Sequence, residues 1–150
     1  MNNIRPATKD DVCRISEIIV FNNRMNFFPI FNDEEYSFKF FNVSYLMNEY
    51  LSTPEVFSEI YVYDDGIIRG FVHVHGEEVK KLYVEHFFQN RGYGHELLQF
   101  AVNEKGADHL WALEKNEKAL RFYSRHGFFP TGEWRYEDDT TEKLIVLKKK

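Results

Sequence analysis

Gln89-Asn90-Arg91-Gly92-Tyr93-Gly94 lies between an alternating apolar stretch and a helical one, where an anion-binding turn has to be. Glycines let the backbone approach an anion closely, and the free N–H groups at a helix start, continuing here into His95, point at it with the positive end of the macrodipole. A pyrophosphate suits such a turn; the plainer reading is a strand-to-helix turn that needs unusual φ. A second segment, Asn116 to Phe128, sets Ala119, Phe122 and Tyr123 on adjacent helical positions and ends at Gly127-Phe128. Tyr123 alone reads as core packing, but a phenol can also donate a proton to a leaving thiolate. Glu78 opens a strand after the Gly76-Glu77 turn, so it reads either as an exposed strand-end charge or as a base. His73 and His75 share one face of the preceding strand by period two, so either could approach an amine, histidine being the side chain whose ordinary titration range is near neutrality. The pair could also bind a metal, but no Cys or Asp partner accompanies it, and a sheet histidine is the better reading.

The elements that must hold these groups follow from periodicity. Asn3 to Ala7 reads as a first strand, and Thr8 with Asp11 forms a capping-box-like pair that starts a helix running to about Asn23. Val12, Ile15, Ile18 and Ile19 give that helix a buried stripe, with Cys13 on its apolar face. Pro29 interrupts the apolar run Met25 to Phe31. A second, unusually aromatic helix is expected from about Asp33 to Tyr50, and its helical spacing makes core packing the better reading of its rings. Phe57 to Tyr63 and Ile67 to Val74 flank Asp65-Gly66 as a hairpin, and Val79 to Val84 completes an antiparallel meander. A helix then runs through Leu97, Leu98, Ala101 and Val102 to Gly106. His109 to Leu113 is a short strand, Glu117 to Arg125 a helix, and Phe128 to Tyr136 and Lys143 to Leu147 are final strands. This order implies one domain over residues 1–150, of α/β (α+β mixed) class: a mixed sheet with helices on both faces.

At this point the sequence resembles a known family. The Gln-x-x-Gly-x-Gly turn at 89–94, preceded by Leu82-Tyr83-Val84, is similar to motif A of the GCN5-related N-acetyltransferases. The spacing of Asn116, Ala119, Phe122, Tyr123, Gly127 and Phe128 resembles their motif B. The element order from residue 3 to residue 147 also fits. The resemblance implies a central, mostly antiparallel sheet in which acetyl-CoA lies between two splayed parallel strands, here Val79 to Val84 and His109 to Leu113. It implies that backbone groups of Leu82 and Val84 hold the pantetheine and the acetyl carbonyl. Amides of Gln89, Asn90, Arg91, Gly92, Tyr93, Gly94 and His95 would cradle the pyrophosphate, Arg91 adding a supporting charge. Asn116 would face the pantetheine arm, and Tyr123 the thioester sulfur. Glu78 matches the place of the catalytic glutamate in histone-type members, while many other members use water relays. The activity implied is direct attack of a primary amine, on a small molecule or peptide, upon acetyl-CoA as cosubstrate, with no metal. A catalytically inactive acyl-CoA-binding sensor or scaffold is the alternative. Dimers are common in the family, which makes a homodimer an expected state.

Composition narrows the partners. Lys plus Arg number 19 against 24 Asp plus Glu, giving a net charge of -5, the wrong sign for bulk attraction to nucleic acid and the right one for a cationic substrate. A lone Cys13 excludes an internal disulfide and fits a reducing cytoplasm. The start, Met1 to Pro6, has no apolar core of a signal peptide, and no later stretch reaches bilayer-spanning length, so a soluble cytoplasmic protein with no membrane contact is expected.

Overall fold

The computed structural model describes residues 2–150. Thr8 and Asp11 set the first helix as expected: the Thr8 amide and hydroxyl both donate to Asp11 Oδ2, at 2.8 and 3.2 Å. The chain runs β1 (Ile4–Pro6), α1 (Val12–Asn26), α2 (Phe28–Phe31), α3 (Val43–Ser52), α4 (Pro54–Phe57), β2 (Ile60–Asp64), β3 (Ile68–His75), β4 (Glu78–Val84), α5 (Tyr93–Lys105), β5 (His109–Leu113), α6 (Glu117–Arg125), β6 (Phe128–Tyr136) and β7 (Lys143–Lys149). The strands form one sheet in the order β1-β2-β3-β4-β5-β7-β6. Every neighbouring pair is antiparallel except β4 with β5, so the sheet is mixed and mostly antiparallel, as expected.

Strand alternation sends two apolar sets to opposite faces. On one face Phe71, Val62 and Ile60 pack against Val12, Ile15, Ile18 and Ile19 of α1 and Leu46 and Tyr50 of α3. On the other, Val72, Val74 and Val79 pack against Leu97, Leu98 and Ala101 of α5, with Tyr123 of α6 at the margin. Removing each fully buried Ile or Leu from water contributes roughly 2 kcal/mol. Arg5 ties the first face to the sheet edge, bonding Asp11 at 2.7 Å and Asp64 at 2.9 Å.

Five expectations need correction. The helix expected over Asp33 to Tyr50 is broken: Tyr36–Phe40 forms a π-helical turn, Phe41 is extended, and Asn42 caps a new helix by accepting from the Tyr45 amide at 2.9 Å. An asparagine inside an aromatic run acts there as a start signal. The rings of that region are largely not core, for Tyr36, Phe38, Phe40 and Tyr45 are exposed while Leu46 and Tyr50 are buried. Phe57 belongs to the short helix α4, which Pro54 opens, and the strand begins at Ile60; a proline fixing φ at a first helical turn outweighs local β propensity. Cys13 is exposed although Val12 and Ile15 beside it are buried, because the buried stripe of α1 is too narrow to include it. The first helix also runs on three residues past Asn23, to Asn26.

Candidate active site

The parallel strands β4 and β5 pair only at Glu78–His109 and Val79–Leu110. Directly after that, the β3–β4 register steps from Val74–Val79 to His73–Lys81, leaving Lys80 as the extra residue of a bulge. A bulge bends its strand and increases its twist. Beyond it β5 stays paired with β7 along its length while β4 stays with β3, so the two part company. The Glu85 amide donates to Arg69 O at 2.9 Å, which makes Gly70–Val84 a wide pair. The peptide groups of Val84, and of Leu82 two residues earlier, therefore point away from β3 into the gap.

A cavity of about 520 Å³ fills the gap, in the size range of small-molecule sites. Of the residues expected at a site, it gathers Leu82, Val84, Gln89, Asn90, Gly92, Gly94, His95, Asn116 and Tyr123. Three others lie elsewhere. Arg91 is exposed, its guanidinium 5.7 Å from the Phe88 ring, and Tyr93 turns its ring onto Tyr63 at 4.9 Å. Glu78 sits at the paired end of β4 with Lys80 Nζ 3.6 Å from its carboxylate. His73 and His75 are also outside the cavity, bracketing the Glu59 carboxylate at 3.0 and 2.5 Å. Their bonds to Glu59 hold that carboxyl below its usual range, and burial pushes His73 down.

The glycines of the turn have different tasks. Gly92 is the left-handed residue before α5, with φ 92° and open space where a side chain would be. Gly94 has a close neighbour instead: a Cβ there would meet the Phe122 ring at 3.3 Å. The amides of Tyr93, Gly94 and His95 open the helix and have no carbonyl one turn back. Gln89 works through its side chain. Its Nε2 donates to Val84 O at 3.1 Å and to Asn22 Oδ1 at 3.3 Å, Asn22 Nδ2 donates to Val84 O at 3.3 Å, and Lys118 Nζ donates to Gln89 Oε1. The Val84 carbonyl is thus satisfied internally, leaving its amide toward the gap.

On α6, Asn116 Oδ1 caps the helix by accepting from the Ala119 amide at 3.4 Å. Its amide nitrogen is left for the cavity. Burial pushes the Tyr123 phenol well up from its ordinary value, so the group stays protonated and able to donate at neutral pH. His126 Nδ1 donates to Phe122 O at 2.7 Å, which leaves its other ring nitrogen to pair with His95 Nδ1 at 2.9 Å.

Several lining residues were not singled out from the sequence. Lys118, Arg121 and Arg125 recur at helical spacing on α6 and put cations beside the turn in an acidic chain; that spacing was a usable signal. Asn22, Asn26 and Phe27 of the first helix region and Tyr83 of β4 line the other side. Asn22 and Asn26 are four apart, yet nothing local says that a strand 62 residues later will face them.

Residues 57–130 match a family described as an acetyltransferase (GNAT) domain. Solved structures share the fold across nearly the whole chain. The PaiA N-acetyltransferase from Thermoplasma acidophilum, in complex with coenzyme A, aligns with a TM-score of 0.68 at 21% identity, covering 98% of this chain and 98% of that one. An N-acetyltransferase from Staphylococcus aureus aligns with 0.71 at 12% identity over 96% and 98%. YncA from Salmonella typhimurium, a putative acetyltransferase with its cofactor acetyl-CoA, aligns with 0.63 at 18% identity over 96% and 90%. No helix here is long and apolar enough to cross a membrane among the described residues.

Proposed function

We propose that this chain, which belongs to the GCN5-related N-acetyltransferase family, is an active enzyme that transfers acetyl from acetyl-CoA to a primary amine by direct attack. The observation that carries the reading is the cavity running through the β4–β5 splay, with the free peptide edge of Leu82 and Val84 on one wall and Tyr123 on another. The residues present fit the cosubstrate. Unpaired amides at the start of α5 and the cations of Lys118, Arg121 and Arg125 suit its phosphates. The parted strand edge and Asn116 suit the amide-bearing pantetheine arm.

In the proposed mechanism the Leu82 peptide edge holds the thioester carbonyl and stabilises the charge that grows on its oxygen. Tyr123 donates its hydroxyl proton to the departing sulfur. Glu78 lies outside the cavity lining, so a base role for it would run through solvent from the paired end of the strands.

Calorimetric titration with acetyl-CoA, CoA and ATP tests the reading. Saturable binding of the first two with little for ATP is expected, followed by thiol release when an amine is added. Absence of acetyl-CoA binding at high ligand overturns it; binding without thiol release from any amine leaves an acyl-CoA-binding module.

A further inference from the structure

We infer that His95 and His126 form a proton-sharing pair that binds a phosphate of the cosubstrate as a single imidazolium, so that acetyl-CoA enters this site together with one proton. This rests on the transferase reading above. Both rings line the cavity, His95 from the first turn of α5 and His126 from the residue that ends α6. His95 Nδ1 and His126 Nε2 stand 2.9 Å apart, with ring centroids at 5.0 Å, and the His126 ring lies 4.4 Å from that of Phe122. His73, His75 and His109 each meet a carboxylate, whereas these two meet each other.

One fixed bond sets how many protons the pair can hold. A carbonyl only accepts, so the 2.7 Å bond to Phe122 O puts a hydrogen on His126 Nδ1. With both rings neutral, His126 Nε2 is then a bare lone pair, His95 Nδ1 donates its hydrogen to it, and His95 Nε2 is bare as well. One further proton fits on His95 Nε2 and keeps both bonds. A second would set N–H against N–H across the 2.9 Å gap and break the pair. The capacity is therefore one proton, taken from solvent, and the nitrogen that gains it stands outside both bonds and can donate to an anion.

The groups around the pair suit a phosphate. Lys118, Arg121 and Arg125 line the same cavity, and Lys149 Nζ reaches from β7 to donate to His126 O at 3.0 Å. Arg91 of the turn is exposed beside Phe88. The carboxylates near the pair are Glu96 and Glu104 of α5, which line a second hollow with His95; among the described residues no Asp or Glu lines the cavity itself. A phosphate drawn in by these cations and by the open amides of Tyr93, Gly94 and His95 is placed beside the His95 ring. An adjacent anion favours the imidazolium over the neutral ring, whose bare Nε2 would repel it.

Calorimetry of CoA binding at pH 7.5, repeated in buffers of different ionisation enthalpy, counts the protons taken up. About half a proton per site is expected, and with it a rise of about threefold in the CoA Kd from pH 7 to pH 8. Phosphate monoesters complete their ionisation near about pH 6, so the ligand itself adds little to the exchange. His95→Gln, at an exposed position, should abolish the uptake; uptake that survives in this variant overturns the inference. 3′-Dephospho-CoA separates the two sources of phosphate: retained uptake assigns the pair to the pyrophosphate, and lost uptake assigns it to the 3′-phosphate. Nitrogen-15 imidazole spectra add a readout that mere packing would not move. CoA at pH 7.5 should shift His95 Nε2 toward its protonated position, and an unmoved signal overturns the assignment. Failure of the wild type to bind CoA overturns the transferase reading beneath, whereas binding without proton uptake overturns this inference and leaves the cofactor site standing.

Discussion

On the α5/α6 face of the cavity, the groups come from two short segments, residues 89–95 and 116–126, each shaped by its own helix start, and the two segments meet through Lys118–Gln89 and His95–His126. On the α1/α3 face, Asn22, Asn26 and Phe27 meet Tyr83, and the bond that fastens this meeting, Asn22 to Val84, spans 62 residues. The first face is organised by helix starts and caps, which are local devices, and it carries the cations. The second is organised by the packing of one helix against a strand, and it carries phenols, carboxamides and a fringe of exposed rings. A cosubstrate with a polyanionic handle suits the former; an uncharged ligand surface suits the latter.

That contrast can be broken by substitutions, the largest effect first. Phe71→Ala should cost about 3–5 kcal/mol by denaturant unfolding, because Phe71 is fully buried under α1, while Phe38→Ala should cost less than about 1 kcal/mol. A large loss at Phe38 would mean that the aromatic fringe is core after all. Tyr123→Phe should lower kcat about 10²-fold with the acetyl-CoA Kd unchanged; an unchanged rate would remove the proton-donor role. Arg121→Ala and Arg125→Ala together should weaken acetyl-CoA about tenfold in calorimetry, with the loss shrinking as salt is raised, and should leave the amine KM alone. A shift in amine KM instead would erase the division between faces.

Two smaller effects sharpen the comparison. Burial works against the Asp11 carboxylate, but its bonds from Arg5 and Thr8 outweigh that and hold its pKa below the usual value. A carboxyl depressed in the fold stabilises fully above its unfolded pKa, near 3.9, and the contribution is lost as pH falls through the folded value. Asp11→Asn should therefore cost about 1 kcal/mol at pH 7, discounted because Arg5 is 38% exposed, and progressively less as pH falls below the usual carboxyl range. Melting curves of both proteins against pH check this, since a gap that persists in acid would assign the loss to packing. Glu78→Gln should change kcat/KM by less than about threefold, consistent with a carboxylate outside the cavity lining and paired with Lys80. A drop of 10²-fold would establish a solvent-mediated base.

Residues carrying a local cause were legible in advance. The Thr8–Asp11 box, the Gly66 turn of the β2–β3 hairpin, the left-handed Gly92 and the run from Asn116 to Gly127 are each written in four to twelve consecutive residues, and each is where the pattern places it. The break at Asn42 was also local, but its signal sat inside an aromatic helical period that outweighed it. Tyr83 was read only as part of a strand, because in a strand with a partner on each side a tyrosine reads as core.

The sequence by itself determined the seven strands, the helices that start at Val12, Tyr93 and Glu117, and the left-handed glycine turn before the second of these, since their signals lie within a few residues of each other. The tertiary structure decided the rest: how far β4 and β5 stay paired, that a bulge at Lys80 precedes their parting, that Tyr36, Phe38, Phe40 and Tyr45 stand in solvent, and that Tyr83 and Tyr123 border the same space from opposite faces. Each is a contact between segments distant in the chain, where the energy of a residue is set by what it meets and not by its neighbours in sequence.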